Sequence, residues 1–327
     1  MKSDFNYSAN QLLYARYGSR FMKWWIALLL TTLATSSVQA DEKCTLQKVA
    51  TVPLTVTPSG TVTVPVIVAG DPLTFALSIN DGFSAISSDY AEKRGLHLTS
   101  NLPSLLHFDF LVGTATASDV MVGDLALKNV QFLRGDVTKH SLFGVSGTIG
   151  LNVLENYDVE LDFKDNRLNL YSQNHCPGDV VYWSSAYTVI PFTQDAAGNL
   201  IYQLKLDGKL VTAGFNLFRG FGFISSEKAQ EVVGLTTLDG LTKTPNLVFG
   251  INETYIYPFQ TLEFGAFTFK QPEIYVYPGK VLCRPSHVMR CLGVPDIVVG
   301  SDQLRKLHLF YVFKEGKLCV TTADAHL

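Results

Sequence analysis

Alternating apolar and polar residues set the pattern of this chain. Val62, Val64, Val66 and Val68 share one parity, and Tyr202, Leu204 and Leu206 repeat the arrangement in the second half. A period of two puts such side chains on one face of a half-buried strand. Each run ends in a turn signal, Ala69-Gly70-Asp71-Pro72 and Asp207-Gly208-Lys209, and both predict hairpins. Helical periodicity is sparse: Ser88 is placed to cap a short helix reaching Arg94, Ser226 one reaching Val232, and Asn152 and Ser301 a third kind in each half. The expectation is a mainly β protein with few short helices.

The two halves repeat one another. Residues 150–170, GLNVLENYDVELDFKDNRLNL, align without a gap on residues 300–320, GSDQLRKLHLFYVFKEGKLCV. Upstream, ISSDYAEKRGL from Ile86 matches ISSEKAQEVVGL from Ile224 with one inserted residue. A duplicated lobe follows, with a first lobe over 41–176, a linker over 177–186 and a second lobe over 187–327.

Residues 1–40 read as an address rather than as structure. Arg16, Arg20 and Lys23 precede an apolar run from Trp24 to Leu30, and Val38-Gln39-Ala40 fits a signal-peptidase site, with Met1 or Met22 as the start. The run is shorter than the ~20 residues that span a bilayer, so export, to a periplasm or beyond, is expected rather than stable membrane insertion. Five cysteines follow Ala40: Cys44, Cys176, Cys283, Cys291 and Cys319. An exported chain permits disulfides. Cys283 with Cys291 and Cys44 with Cys176 are the candidate pairs, leaving Cys319 free, although sequence alone does not fix connectivity. A metal at Cys283, His287 and Cys291 lacks a fourth ligand at a familiar spacing, so neither metal nor cofactor is expected. His107, His140 and His308 are read as surface residues. With 327 residues, 47% hydrophobic, and a net charge of −3, the chain can bury a sizeable core and offers no electrostatic case for nucleic acid.

A strand, a hairpin, a turn before Ser84 and Ile86, a short helix ending at Gly95-Leu96, and then the Gly150 and Gly300 segments resemble the retroviral-type aspartic proteases. Two such units in one chain are similar to bacterial secreted members with tandem retropepsin-like domains. The resemblance implies the acid-protease fold, with two β-barrel lobes related by a pseudo-twofold axis and a cleft covered by hairpin flaps. It also locates a departure. Counting back from Ile86 and from Ile224 puts Ser78-Ile79-Asn80 and Asn216-Leu217-Phe218 where the family carries Asp-Thr-Gly. Sliding the first turn so that Asp81-Gly82 becomes the motif needs a deletion and turns the side chain to another face.

A hydroxyl and a carboxamide cannot share a proton as paired carboxylates do, so the family's hydrolytic chemistry is not expected at Ser78 and Asn216. No Gly-x-Ser-x-Gly elbow surrounds Ser78 to make it a nucleophile. The expected role is binding of an extended peptide or protein segment, with Ser78, Asn80, Asp81, Asn216 and Phe218 on the cleft floor. Gly113 and Thr114 are placed near a flap turn. An active aspartic endopeptidase and a structural envelope protein with a cleft filled by Phe218, Phe221 and Phe223 are the alternatives.

Overall fold

In the computed structural model, the described residues are 45–102, 111–135, 144–178, 180–196, 198–245, 253–279 and 295–325. The strands predicted from alternation form as Val62–Val68 and Leu200–Leu206, each turning back into a partner, Asp71–Leu77 and Lys209–Asn216. Both turns carry positive φ at their two central residues, 48° and 86° at Ala69 and Gly70, and 48° and 76° at Asp207 and Gly208. That is the turn whose twist matches antiparallel strands. The helices are short, at Ser88–Lys93, Leu151–Leu154, Ser226–Val233 and Ser301–Leu304. The first and third caps lie one residue earlier than expected: Ser87 precedes the first helix, and the Ser225 hydroxyl accepts the Lys228 amide in the third. Glycines 150 and 300 occupy the cap positions of the second and fourth.

The repeat is visible in the pairing. In the first half, Phe75, Ala76 and Leu77 run parallel to Gly147, Thr148 and Ile149; in the second, Ala213, Gly214 and Phe215 run parallel to Ile297, Val298 and Val299. The first-half strands make an eight-stranded sheet. A larger sheet joins the halves along its back, in the order Lys48–Pro53, Arg167–Tyr171, Asp158–Asp162, Leu307–Val312, Lys317–Thr322 and Thr188–Gln194. The three strands from each half are mirrored across the contact of Leu161 with Leu309, so the expected mainly β, two-lobed, pseudo-twofold arrangement is the one observed. One face of this back sheet enters the main core through Val159, Leu161, Leu168, Leu309 and Leu318. Residues 180–183 cross the opposite face, where Val180 and Trp183 are buried with Tyr171, Phe310 and Val312.

At the front, each half seats a turn against the other. Residues 57–61 and 195–199 are equivalent turns, closed by Gly60 N donating to Thr57 O and by Gly198 N donating to Asp195 O. The first docks on the loop after Asn216: Val62 N donates to Leu217 O, Gly220 N to Ser59 O, and the Thr61 hydroxyl to Phe218 O. The second docks on the loop after Ser78, with Leu200 N donating to Asn80 O and Gly198 placed so that a β-carbon on it would lie 3.5 Å from Gly82 Cα. A β-carbon on Gly60 would stand 2.3 Å from Gly220 N, so the halves meet at a distance that only glycine permits.

Among the described cysteines, Cys176 is disulfide-bonded and Cys319 is free and buried. Cys44, Cys283 and Cys291 lie outside the described residues, as do the leader, His107, His140 and His287. His308 is not at the surface; it is 4% exposed within the back sheet. It lies in the strand Leu307–Val312, on a face that residues 180–183 cover.

The seam between the halves yields a direct expectation. Gly60→Ala combines a positive φ of 84° with a backbone clash across the axis and should destabilise the protein by roughly 2–3 kcal/mol in equilibrium denaturation. Gly70→Ala, at a φ of 86° with nothing within 4 Å, carries only the backbone strain and should cost about 1 kcal/mol.

Candidate functional site

The hydrogen bonds fix the register at the axis. Ser78 N donates to Ile149 O, and Asn216 stands opposite Gly300 in the parallel ladder. Three residues on, Leu151 N donates to Asp81 O and Asn152 N to Gly82 O. In the second half, Ser301 N donates to Arg219 O and Asp302 N to Gly220 O. Ser78 is therefore equivalent to Asn216, Asp81 to Arg219 and Gly82 to Gly220. Close packing supports these loops: a β-carbon at Gly150 would lie 2.5 Å from the Phe83 carbonyl, and one at Gly300 would lie 2.3 Å from the Phe221 carbonyl.

Ser78 is buried and its hydroxyl is fully engaged, donating to Asp81 Oδ2 at 2.6 Å and accepting the Asp81 amide at 3.2 Å. Asp81 itself has solvent-accessible surface, yet protein atoms crowd around its carboxyl group. Desolvation at that depth raises its pKa above the ordinary aspartate value. The Ser78 hydrogen bond opposes the shift, and the negative charge of Asp195 from the other half adds to it. Asp195 is half-buried, and each of its carboxylate oxygens accepts a bond from Asn199, through the backbone N–H and the side-chain amide. Thr57 holds the equivalent place in the first half, where its hydroxyl bonds that of Ser59, while the Arg219 guanidinium lies 5.9 Å over the Phe221 ring.

The remaining predicted residues divide between structure and surface. Asn80 Oδ1 accepts the amide of Phe215 at 3.3 Å, so this side chain joins the halves. Asn216 Oδ1 accepts the Phe218 amide at 2.7 Å, turning the carboxamide nitrogen away from its own loop. Phe218 is half-buried on that loop. Phe221 and Phe223 lie along the neighbouring strand, against Tyr275 and Tyr277. Gly113 and Thr114 lie near the start of the strand Leu111–Val122, beside a bulge, and the segment before that strand, where the flap turn is expected, lies outside the described residues. Thr114 is 3% exposed between Thr99 and Leu133. Most of the expected flap tips lies outside the described residues.

Two buried acid–imidazole pairs on the back sheet went unanticipated, Asp158 with His175 and Glu160 with His308. Their alternation along the strand gave no sign that a covering segment would bury them. Among the described residues no group of three or more His, Cys, Asp or Glu side chains is arranged to hold a metal ion.

No protein-family profile matches the chain, and no curated protein matches it in sequence. Solved structures do. Basic 7S globulin from soybean matches with a TM-score of 0.49 and 6% identity, covering 86% of this chain and 96% of that one. Conglutin gamma, a basic 7S globulin from lupine seeds, matches with a TM-score of 0.48 and 9% identity, again over 86% and 96%. The aspartic proteinase from Irpex lacteus matches with a TM-score of 0.48 and 12% identity, over 84% of this chain and 97% of that one. At these identities and TM-scores the matches assign no role to any residue of this chain.

Proposed function

We propose that this is an exported protein of the aspartic-protease-like fold that holds an extended peptide or protein segment between its lobes without cleaving it. One observation carries the reading: the two equivalent axis positions hold the Ser78 hydroxyl and the Asn216 carboxamide, and the exposed acid beside them, Asp81, is partnered by Ser78. Peptide hydrolysis by this fold needs one group to take a proton from water while another gives one to the carbonyl oxygen. The Ser78 hydroxyl neither titrates in the useful range nor is free, and the Asn216 carboxamide does not titrate. Asp195 lies close enough to act on Asp81 electrostatically, yet its oxygens are held in its own turn. Loss of general acid–base participation removes on the order of 10²–10⁴-fold in rate.

What remains suits recognition. An extended backbone presents a carbonyl acceptor and an N–H donor, and the floor offers the Asn216 amide as donor and the Asp81 carboxylate as acceptor. In this reading Ser78 holds Asp81 in place rather than touching the ligand. Residues 1–40 act as a cleaved export signal, with a periplasm as the destination. Cys176 pairs with Cys44, a pairing favoured by Gln47 lying beside Ser172 in the antiparallel ladder just inside both cysteines.

Binding of a random-sequence extended peptide library, followed by fluorescence polarisation, tests the reading. The wild type should retain a subset of peptides. Asp81→Asn and Asn216→Ala should each weaken retention about five- to tenfold, the loss of one hydrogen bond of ~1 kcal/mol or slightly more. Equal retention by all three proteins, or by none, would refute the site.

The acceptor role of Asp81 also fixes a pH dependence. Its raised pKa keeps the proton on into the range where ordinary aspartates are ionised, so affinity should climb as pH rises through that value. Asp81→Asn should flatten the profile in the same titration.

A further inference from the structure

The back of the interlobe sheet carries a polar cluster that peptide binding at the front does not use. Glu160 is fully buried, and four side chains from three directions converge on its carboxylate. Asn169 Nδ2 donates at 2.6 Å, Tyr171 Oη at 2.8 Å, Tyr182 Oη at 2.8 Å, and His308 Nε2 lies at 2.9 Å. Asn169 and Tyr171 come from the adjacent strand, His308 from the other half, and Tyr182 from the segment that crosses the sheet. The neighbouring Trp183 stacks flat on His308, with centroids 4.0 Å apart and planes 9° apart, and its indole N–H donates to Thr321 Oγ1 at 2.9 Å. Upstream of this segment, His175 Nε2 is 2.5 Å from Asp158 Oδ2.

We infer that residues 180–183 form a strap latched to the back sheet by ionised Glu160, and that protonation of Glu160 releases the strap and uncovers the Tyr171–Phe310 face. A carboxylate accepting from two tyrosyl hydroxyls, an amide and an imidazole makes charge-assisted bonds, roughly twice as strong as neutral ones. Protonation removes that advantage and leaves any charge on His308 buried without a counter-charge. Tyr182 is 51% exposed and its hydroxyl bonds Glu160 and Tyr171, while Val180 and Trp183 are buried and Trp183 is further held by its stacking on His308 and its bond to Thr321.

The surrounding charges do not replace Glu160. Asp158 and Asp162 lie on its own strand; Asp158 is committed to His175, and Asp162 accepts the Asp165 amide. Lys48 lies 5.5 Å over the ring of Tyr171, and Glu315 bonds Lys317. On the neighbouring strand Cys319 is a buried thiol, whose pKa burial pushes up to about 11. Burial by itself would raise the Glu160 pKa, but the bonds from His308, Tyr182, Asn169 and Tyr171 outweigh it and bring the value below the ordinary glutamate one. The latch is therefore complete above the ordinary glutamate pKa and is lost as pH falls through the lowered one.

Trp183 reports on the strap directly, because the chain's other tryptophans are Trp24 and Trp25. Emission and acrylamide quenching of the full chain carrying Trp24→Phe and Trp25→Phe are followed from neutral to strongly acid pH, with far-ultraviolet circular dichroism as the monitor of the sheets. The expected result is a red shift and increased quenching centred below the ordinary glutamate pKa, while the dichroism is unchanged. Glu160→Gln should show the released emission at neutral pH, and Tyr182→Phe should move the transition to higher pH. If Glu160→Gln fails to fold, Tyr182→Phe decides. Protection of Trp183 until the dichroism collapses, or a Tyr182→Phe profile that overlays the wild type, would overturn the latch.

Discussion

The approach of Gly60 to Gly220 is the constraint on which the front of the molecule depends. Each half closes a turn, 57–61 or 195–199, and seats it against the loop of the other half that follows the axis position. Because the bonds run in both directions, neither loop can be moved without displacing a turn from its twin. The register of Ser78 and Asn216 is thus held from outside as well as by the ladders to Ile149 and Gly300. A loop slip that brought Asp81 into the axis position would break the bonds from Leu151 and Asn152 to the Asp81 and Gly82 carbonyls.

Within that fixed frame the two halves have diverged chemically while keeping the same backbone. Asp81 and Arg219 occupy equivalent sites with opposite charge, and Asp195 and Thr57 stand at equivalent turns. Burial raises the proton affinity of Asp81 and lowers that of Arg219, so both charges are costly where they sit. The backbone symmetry of the two loops persists although their side chains differ. The back sheet shows the complementary case: Glu160 and His308 meet across the same axis as unlike groups, and their bonds hold residues 180–183 in place.

Much of this was legible in the sequence where local rules decide. Period-two valines gave the strand Val62–Val68, the Ala69-Gly70 and Asp207-Gly208 turns gave the hairpins, and the gapless match of 150–170 with 300–320 gave the repeat. That match extends to backbone shape, since Asn166 and Gly316 share positive φ values of 53° and 60°. The positions of Ser78 and Asn216 followed from counting back from Ile86 and Ile224, and the ladders agree. What escaped depended on contacts distant in sequence. The bulge between Leu111 and Gly113 has no local signature, so the reading that set Gly113 and Thr114 near a turn did not reveal it. Asp158, Glu160 and His308 fall on strand faces that alternation reads as wet, and only the crossing of residues 180–183 makes them dry. Asp195 gave no signal because its partner, Asp81, lies in the other half.

The central claim is that the axis lacks the acid pair that peptide hydrolysis requires. Mass spectrometry of a complex mixture of unfolded proteins incubated with the purified protein from acid to neutral pH measures this directly. The account predicts that every substrate remains intact at all pH values. New peptide termini that appear at acid pH and vanish with Asp81→Asn would show that Asp81 serves a working catalytic pair, and would contradict it.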